Sequence, residues 1–285
     1  MKELLILSII LISLCVSNVQ QASVIMEDTT ETDIFVKAEA APSQVESGRS
    51  LDIVFDIQNK RPDSITNVTL FVFDQCLFSG EDTKTFSEIR ANASKRWSWK
   101  WNTSSVSFTR DCVIGFKVDY NANFSRTQTI PVLTESEYNL REAAGTLGSI
   151  SSATSSSSNP IDILLSFSQV LPLIENDEPS IFIDYVNKEK GFIDKFNAGD
   201  IEITTTRNME NIDCNDYGLN DIEGVGDKLV LNRDLKFLGG RASRSTCTFV
   251  STISTSSPID SQVLTLRANY KYSLDYSLTV KVSPK

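Results

Sequence analysis

Apolar and polar residues alternate with a period of two along most of this chain, the pattern of strands that cover one face. Leu51, Ile53, Phe55 and Ile57 alternate with Asp52, Val54, Asp56 and Gln58. Cys112, Ile114, Phe116, Val118 and Tyr120 alternate with Val113, Gly115, Lys117 and Asp119. Residues 67–73 are apolar on both faces at Phe71, Val72 and Phe73, which predicts a central strand. Segments 34–40, 95–101 and 126–132 complete the strands of the first half. Turn-forming clusters at Ser47-Gly48, Arg61-Pro62-Asp63-Ser64 and Ser79-Gly80-Glu81-Asp82 separate them. The second half repeats the habit at 161–168, 180–186, 200–206, 228–231, 236–238 and 245–253, with Gly239-Gly240 as a hairpin signal.

The cleanest pattern is the last. From Leu264 to Val282 every even position is apolar and every odd position polar. One straight strand of that length would reach about 60 Å at ~3.3 Å per residue, more than a small domain holds. The pattern therefore predicts a hairpin turning at 273–276. With no helical period between strands, the expected class is all-β, built as antiparallel β-sandwiches.

Composition divides the chain. Residues 142–147 suit one helical turn, and 149–159 are dominated by serine before Pro160. Such a stretch has nothing to bury and reads as a flexible linker. The expected organisation is a signal peptide at 1–22, one sandwich at 24–141, the linker at 142–160 and a second sandwich at 161–285. The leader rests on Leu4 to Val16, an apolar run broken only by Ser8 and Ser13. It is too short for the ~20 residues of a membrane span but suits the apolar region of a signal peptide. Cleavage after Ser17 or after Ala22 fits. An uncleaved N-terminal anchor is the alternative, and the membrane enters only through it.

Beyond Cys15, the cysteines are Cys76, Cys112, Cys214 and Cys247. Four cysteines allow three pairings. The linker separates the first two from the last two, so pairing within each half gives Cys76–Cys112 and Cys214–Cys247. A zinc ion on four thiolates usually draws on Cys-x-x-Cys units, and none occurs. Asn67, Asn92, Asn102 and Asn123 each open an Asn-x-Ser/Thr sequon, as an exported, glycosylated surface would carry.

The stretch Ala41-Pro42-Ser43-Gln44-Val45-Glu46-Ser47-Gly48, the alternating 51–58 and then Asn59 resemble immunoglobulin-like modules of prokaryotic surface proteins. The nearest likeness is to the CARDB-type modules of archaeal envelopes, over residues 34–133. Those modules usually carry Asn-x-Gly after the second strand, where this chain has Asn59-Lys60-Arg61. Cys76 lies just past the third strand, so its pairing is not the inter-sheet bridge of antibody domains. The resemblance implies two tandem immunoglobulin-like sandwiches with adhesion or spacer roles outside the cell.

Charge and chemistry narrow the function. With 27 Lys+Arg against 37 Asp+Glu the net charge is −10, which argues against a nucleic-acid partner. There is no histidine, so Ser-His-Asp and Cys-His catalysis are excluded. Trp97, Trp99 and Trp101 leave one face of a strand. They suit the sandwich interior, a subunit contact or a platform for sugar rings. Asp213, Asn215, Asp216 and Asp221 gather hard oxygen ligands around Gly218, as a calcium site needs. The EF-hand register fails, with Tyr217 and Gly224 at two ligand positions, so a solvated acidic loop is the plainer reading. The expected function is a secreted or cell-surface, non-enzymatic adhesion, spacer or envelope-assembly protein without a cofactor. Its partners would be other envelope proteins or glycans, and the alternative is a carbohydrate-binding protein that uses the tryptophans.

Overall fold

The computed structural model describes residues 22–24, 33–157, 160–206, 208–222, 226–253 and 257–285, and the alternating segments become strands throughout. The first half forms β1 (Ala22–Val24), β2 (Ile34–Ala41), β3 (Gln44–Glu46), β4 (Ser50–Asn59) and β5 (Ile65–Asp74). It continues with β6 (Phe78–Ser79), β7 (Thr83–Ile89), β8 (Ala93–Thr103) and β9 (Arg110–Leu133). Helix α1 (Glu135–Ala143) follows, opened by Thr134, whose hydroxyl accepts from the Glu137 N–H. Next come β10 (Thr154–Ser156), β11 (Ile161–Phe167), β12 (Leu173–Ile174), β13 (Ser180–Asn187), β14 (Lys195–Phe196) and β15 (Ile201–Thr205). The chain ends through β16 (Met209–Cys214), β17 (Tyr217–Ile222), β18 (Gly226–Leu231), β19 (Leu235–Leu238), β20 (Arg241–Ala242), β21 (Ser245–Ser251) and β22 (Ile259–Ser283). The proposed leader at 1–22 lies outside the described residues, apart from Ala22.

Three sheets result. One runs β1-β2-β4-β8-β6, one runs β14-β19-β20-β13-β21-β16 with β11 beside β13, and the third runs β17-β18-β15-β22-β9-β5-β7 between them. Pairing is antiparallel except where β3 lies along β22 and β12 along β9. Against the first half of the long sheet packs the β4 sheet, where Phe55 meets Phe116 edge to face at 5.0 Å. Against the other end pack β13 and β14, where Phe196 meets Tyr270 at 6.3 Å.

The long sheet corrects the hairpin expected at 273–276. β22 is a single strand of 25 residues, and it pairs with β9, itself 24 residues, from Ile259↔Leu133 to Val282↔Arg110. A strand need not end where a compact domain of ordinary size would end it. Here two long strands are mutual partners, with β5 added along one part of β9 and β15 along another part of β22. At ~3.3 Å per residue their common ladder runs about 80 Å.

The serine-rich stretch is also changed. Thr154–Ser156 is an edge strand on β9, and the Ser157 N–H donates to the Ser125 carbonyl at 2.9 Å. Composition shows that this stretch buries nothing. It does not show that a ladder passes close enough to pair its backbone. The two halves are thus joined by the β9–β22 ladder as well as by residues 142–160, which corrects the expectation of a flexible hinge. Segment 67–73 lies in β5, which is flanked by β9 and β7 as a central strand should be, but Phe71 and Phe73 are exposed on its outer face. The Phe73 ring lies over Gly115, where a Cβ would stand 2.4 Å from it.

Candidate functional site

Midway along the shared ladder Asn123 faces Asn269, and a groove of about 390 Å³ opens beside them. Pro62, Asp63, Ser125, Ser157 and Arg267 are among the residues that line it. The 60–63 turn that follows β4 places Arg61 beneath this groove with no solvent exposure. Its Nε donates to Asp63 Oδ1 at 3.2 Å, and its Nη2 to Asp63 Oδ2 at 3.0 Å and to the Asn123 carbonyl at 3.2 Å. Nη1 lies 3.5 Å from Asp33 Oδ2. Burial works against the guanidinium's charge, but the Asp63 hydrogen bond and nearby groups outweigh it and hold the arginine protonated. Burial raises the Asp33 carboxyl, with Arg61 pulling the other way. Tyr120 and Tyr270 are pushed up by burial in the same region. Arg61 thus fastens the start of β2, the turn after β4 and the midpoint of β9 to one another.

A second polar network joins the two sheets of the other half. Ser245 Oγ donates to Asp216 Oδ2 at 2.7 Å, Tyr185 donates to Ser245 Oγ at 3.0 Å, and the Tyr217 hydroxyl donates to the Tyr185 hydroxyl at 2.5 Å. Arg233 pairs with Asp216 from the outside. Burial pushes the Tyr185 hydroxyl up to about 12. Both networks act as fasteners between strands.

The four cysteines form Cys76–Cys112 and Cys214–Cys247, with Cα separations of 5.7 and 4.1 Å. These are the pairings within each half that the sequence favoured. The tryptophans divide. Trp99 and Trp101 are buried, stack at 6.1 Å, and donate from Nε1 to Glu81 Oε2 at 3.2 Å and to the Glu81 carbonyl at 2.8 Å. Trp97 is half-buried, with the Lys84 ammonium 3.5 Å from its ring centroid. A platform of three open indoles is therefore corrected to a core pair and a capped third ring. The strand's inner face is buried only along its C-terminal part, from Trp99 to Thr103.

The acidic loop is corrected as well. Asp213 ends in β16 as an exposed residue, Asn215 and Asp216 form a two-residue turn, and Asp221 lies on β17. Asn215 Oδ1 accepts from the Thr246 N–H at 3.0 Å, and Asp216 is engaged by Ser245 and Arg233. Asp213 is exposed, Asp216 is buried and the Asn215 side chain is engaged with the backbone of Thr246. Among the described residues no group of three or more His, Cys, Asp or Glu side chains could hold a metal ion. Asn67, Asn92, Asn102 and Asn123 are all exposed, and Asn67 and Asn92 have positive φ (51° and 52°). Sequence reasoning missed Arg61, which it read as part of a turn. The signal it passed over was a charged residue set between Asn59 and Asp63, two groups able to hold it.

No family model matches the chain, and no curated protein matches it. Solved structures give distant likenesses. The secreted serine protease VesC from Vibrio cholerae is similar at 9% identity and a TM-score of 0.20, covering 78% of this chain and 48% of that one. The YadV chaperone is similar at 11% identity and 0.21, covering 75% and 91%. The Fcho1 Mu homology domain of Danio rerio with bound Eps15 peptide is similar at 7% and 0.24, covering 88% and 92%. Scores this low transfer neither fold nor function to this chain. No helix among the described residues is long and apolar enough to cross a membrane, and the two disulfides suit an oxidising compartment.

Proposed function

We propose that the protein is a secreted or cell-surface module that does no chemistry and serves as a stiff spacer and assembly unit in an envelope. The observation that carries this reading is the β9–β22 ladder of 24 register pairs, which spans both halves and gives a mechanical element about 80 Å long. One disulfide in each half closes the fold against unravelling. The immunoglobulin-like reading draws support from strand order. β2, β4 and β8 face β22, β9, β5 and β7, as first, second and fifth strands face seventh, sixth and third in such sandwiches. The fourth strand, β7, sits beside the third. The absence of histidine from the whole chain favours a binding role over a catalytic one. Four exposed sequons, all in the first half, suit a face turned outward and sugar-coated.

The test is labelling of intact cells of the native host with a membrane-impermeant amine reagent, followed by non-reducing peptide mapping. The account expects labelled protein carrying both disulfides, cleaved leader and sugar on at least one sequon. Unlabelled protein with reduced thiols would overturn it.

A further inference from the structure

β8 pairs along one side with β4, from Asn59↔Ala93 to Ser50↔Asn102, without a break in register. On its other side, among the described residues, only β6 pairs with it, at Asn102 and Thr103. The Thr103 N–H donates to the Arg49 carbonyl at 3.0 Å, on the β4 side, and the Ser104 N–H to the Leu77 carbonyl at 2.9 Å, on the β6 side. Successive residues of a strand turn their backbone groups to opposite sides, so Ser94, Arg96, Ser98 and Lys100 present theirs to the open side. The side chains of these four residues are all exposed, on the face away from buried Trp99 and Trp101. A bare edge of this kind invites another strand.

Charge on this outer face is ordered across the strands. Lys37 of β2 stands opposite Asp56 of β4, and Asp56 stands opposite Arg96 of β8. Asp52 of β4 stands opposite Lys100. The longer row reads base, acid, base, and both rows end on a cation at the open edge. Directly opposed unlike charges stabilise a pair of strands and like charges destabilise it. Arg96 and Lys100 form no ion pair among the described residues, so the place beyond them suits carboxylates. β8 carries no Asp or Glu, so a second β8 would bring this edge only more cations. On the inner face Trp97 is half-buried, which gives the alternate side chains of an added strand an apolar neighbour.

We infer that the open edge of β8 takes an extended segment of another protein, added antiparallel as a further strand of this sheet and carrying two acidic side chains four residues apart. One acid lies opposite Arg96 and the other opposite Lys100, and each continues the alternation of charge across the sheet. Backbone hydrogen bonds to Ser94, Arg96, Ser98 and Lys100 hold the segment, and the acids set its register. Its apolar side chains, at the positions between, face inward beside Trp97. This inference stands on β8 and its neighbours and does not depend on where the protein resides.

The test titrates the full disulfide-bonded chain, made without N-glycans so that sugars at Asn92 or Asn102 cannot cover the edge, with the peptide acetyl-Thr-Glu-Val-Thr-Val-Glu-Thr-amide. The peptide is expected to bind, and the amides of Ser94, Arg96, Ser98 and Lys100 should gain protection from hydrogen exchange. Replacing both of its glutamates by lysine should weaken binding at least about tenfold. Arg96→Glu/Lys100→Glu should lose the acidic peptide by the same factor and take the lysine peptide instead. Ser98→Pro keeps both cations and removes one backbone donor on the open side, where an edge strand tolerates proline, and should also weaken the acidic peptide at least about tenfold. Circular dichroism verifies that each variant is folded. A wild type that binds neither peptide means that the cations only guard the edge and overturns the inference. Binding that ignores Ser98→Pro, or that protects none of the four amides, means a peptide held by charge alone and overturns it equally. Self-association of the peptide-free chain that Arg96→Glu/Lys100→Glu abolishes would give the edge to a second copy and overturn it too.

Discussion

Arg61 is the residue on which the middle of the molecule turns. It has no solvent exposure and holds Asp63, the Asn123 carbonyl and Asp33 around one guanidinium. Removing one partner of a buried ion pair costs about 3 kcal/mol or more, because the remaining charges lose their compensation. Arg61→Met is therefore expected to lower unfolding stability by about 3 kcal/mol in denaturant titration. The tyrosines give a second prediction. Tyr120, Tyr185, Tyr217, Tyr270, Tyr272 and Tyr276, six of seven, are all held above their free value mainly by burial. Above about pH 10 the unfolded chain loses these protons while the folded chain keeps them, so the folded state binds more protons and stability falls as pH rises. Absorbance at 295 nm should show these six ionising together as the protein unfolds. Six gradual, independent titrations would count against the burial. None of this was readable at the residue scale. The sequence shows that Arg61 is an arginine beside a proline, but its ligands at Asp33 and Asn123 lie 28 positions before and 62 after it.

Elements were read better than residues. Period-two patterning located β2, β4, β8, β11, β13, β15 and β21 because each has one covered face. It missed β7, where only Phe86 and Ile89 are apolar, and β16 and β17, whose acidic residues resembled a loop. It split β22 because periodicity shows that a segment is a strand but not how far its partner extends. The tryptophan strand shows the same limit. Alternation set three indoles on one face, and the burial of Trp99 and Trp101 tells which way that face turns. Trp101→Ala should cost about 3–5 kcal/mol by leaving a cavity in the core. Indole fluorescence should be blue-shifted and largely resistant to acrylamide, and red-shifted, freely quenched emission would mean an open platform. Replacing Cys76 and Cys112 together by alanine removes a cross-link spanning 36 residues. The chain-entropy model sets the loss at about 3–4 kcal/mol, read as a lower denaturant midpoint that reducing agent does not change further in that half.

For the whole molecule, the question is whether the halves move as one. A serine-rich stretch between two strand-rich segments reads as a hinge, and composition alone could not say otherwise. The ladder changes that expectation, since bending at the middle must break backbone hydrogen bonds between residues 121–126 and 266–271 and pull Arg61 from the Asn123 carbonyl. Local opening then approaches the cost of global unfolding. Native-state hydrogen exchange resolved to these amides is the direct measurement. Those of residues 121–126 and 266–271 that point across the ladder should exchange as slowly as the strand centres at Ile114 and Leu278, with a shared dependence on denaturant. Exchange at loop-like rates in the middle, while both ends stay protected, would mean two domains on a hinge and would contradict the account.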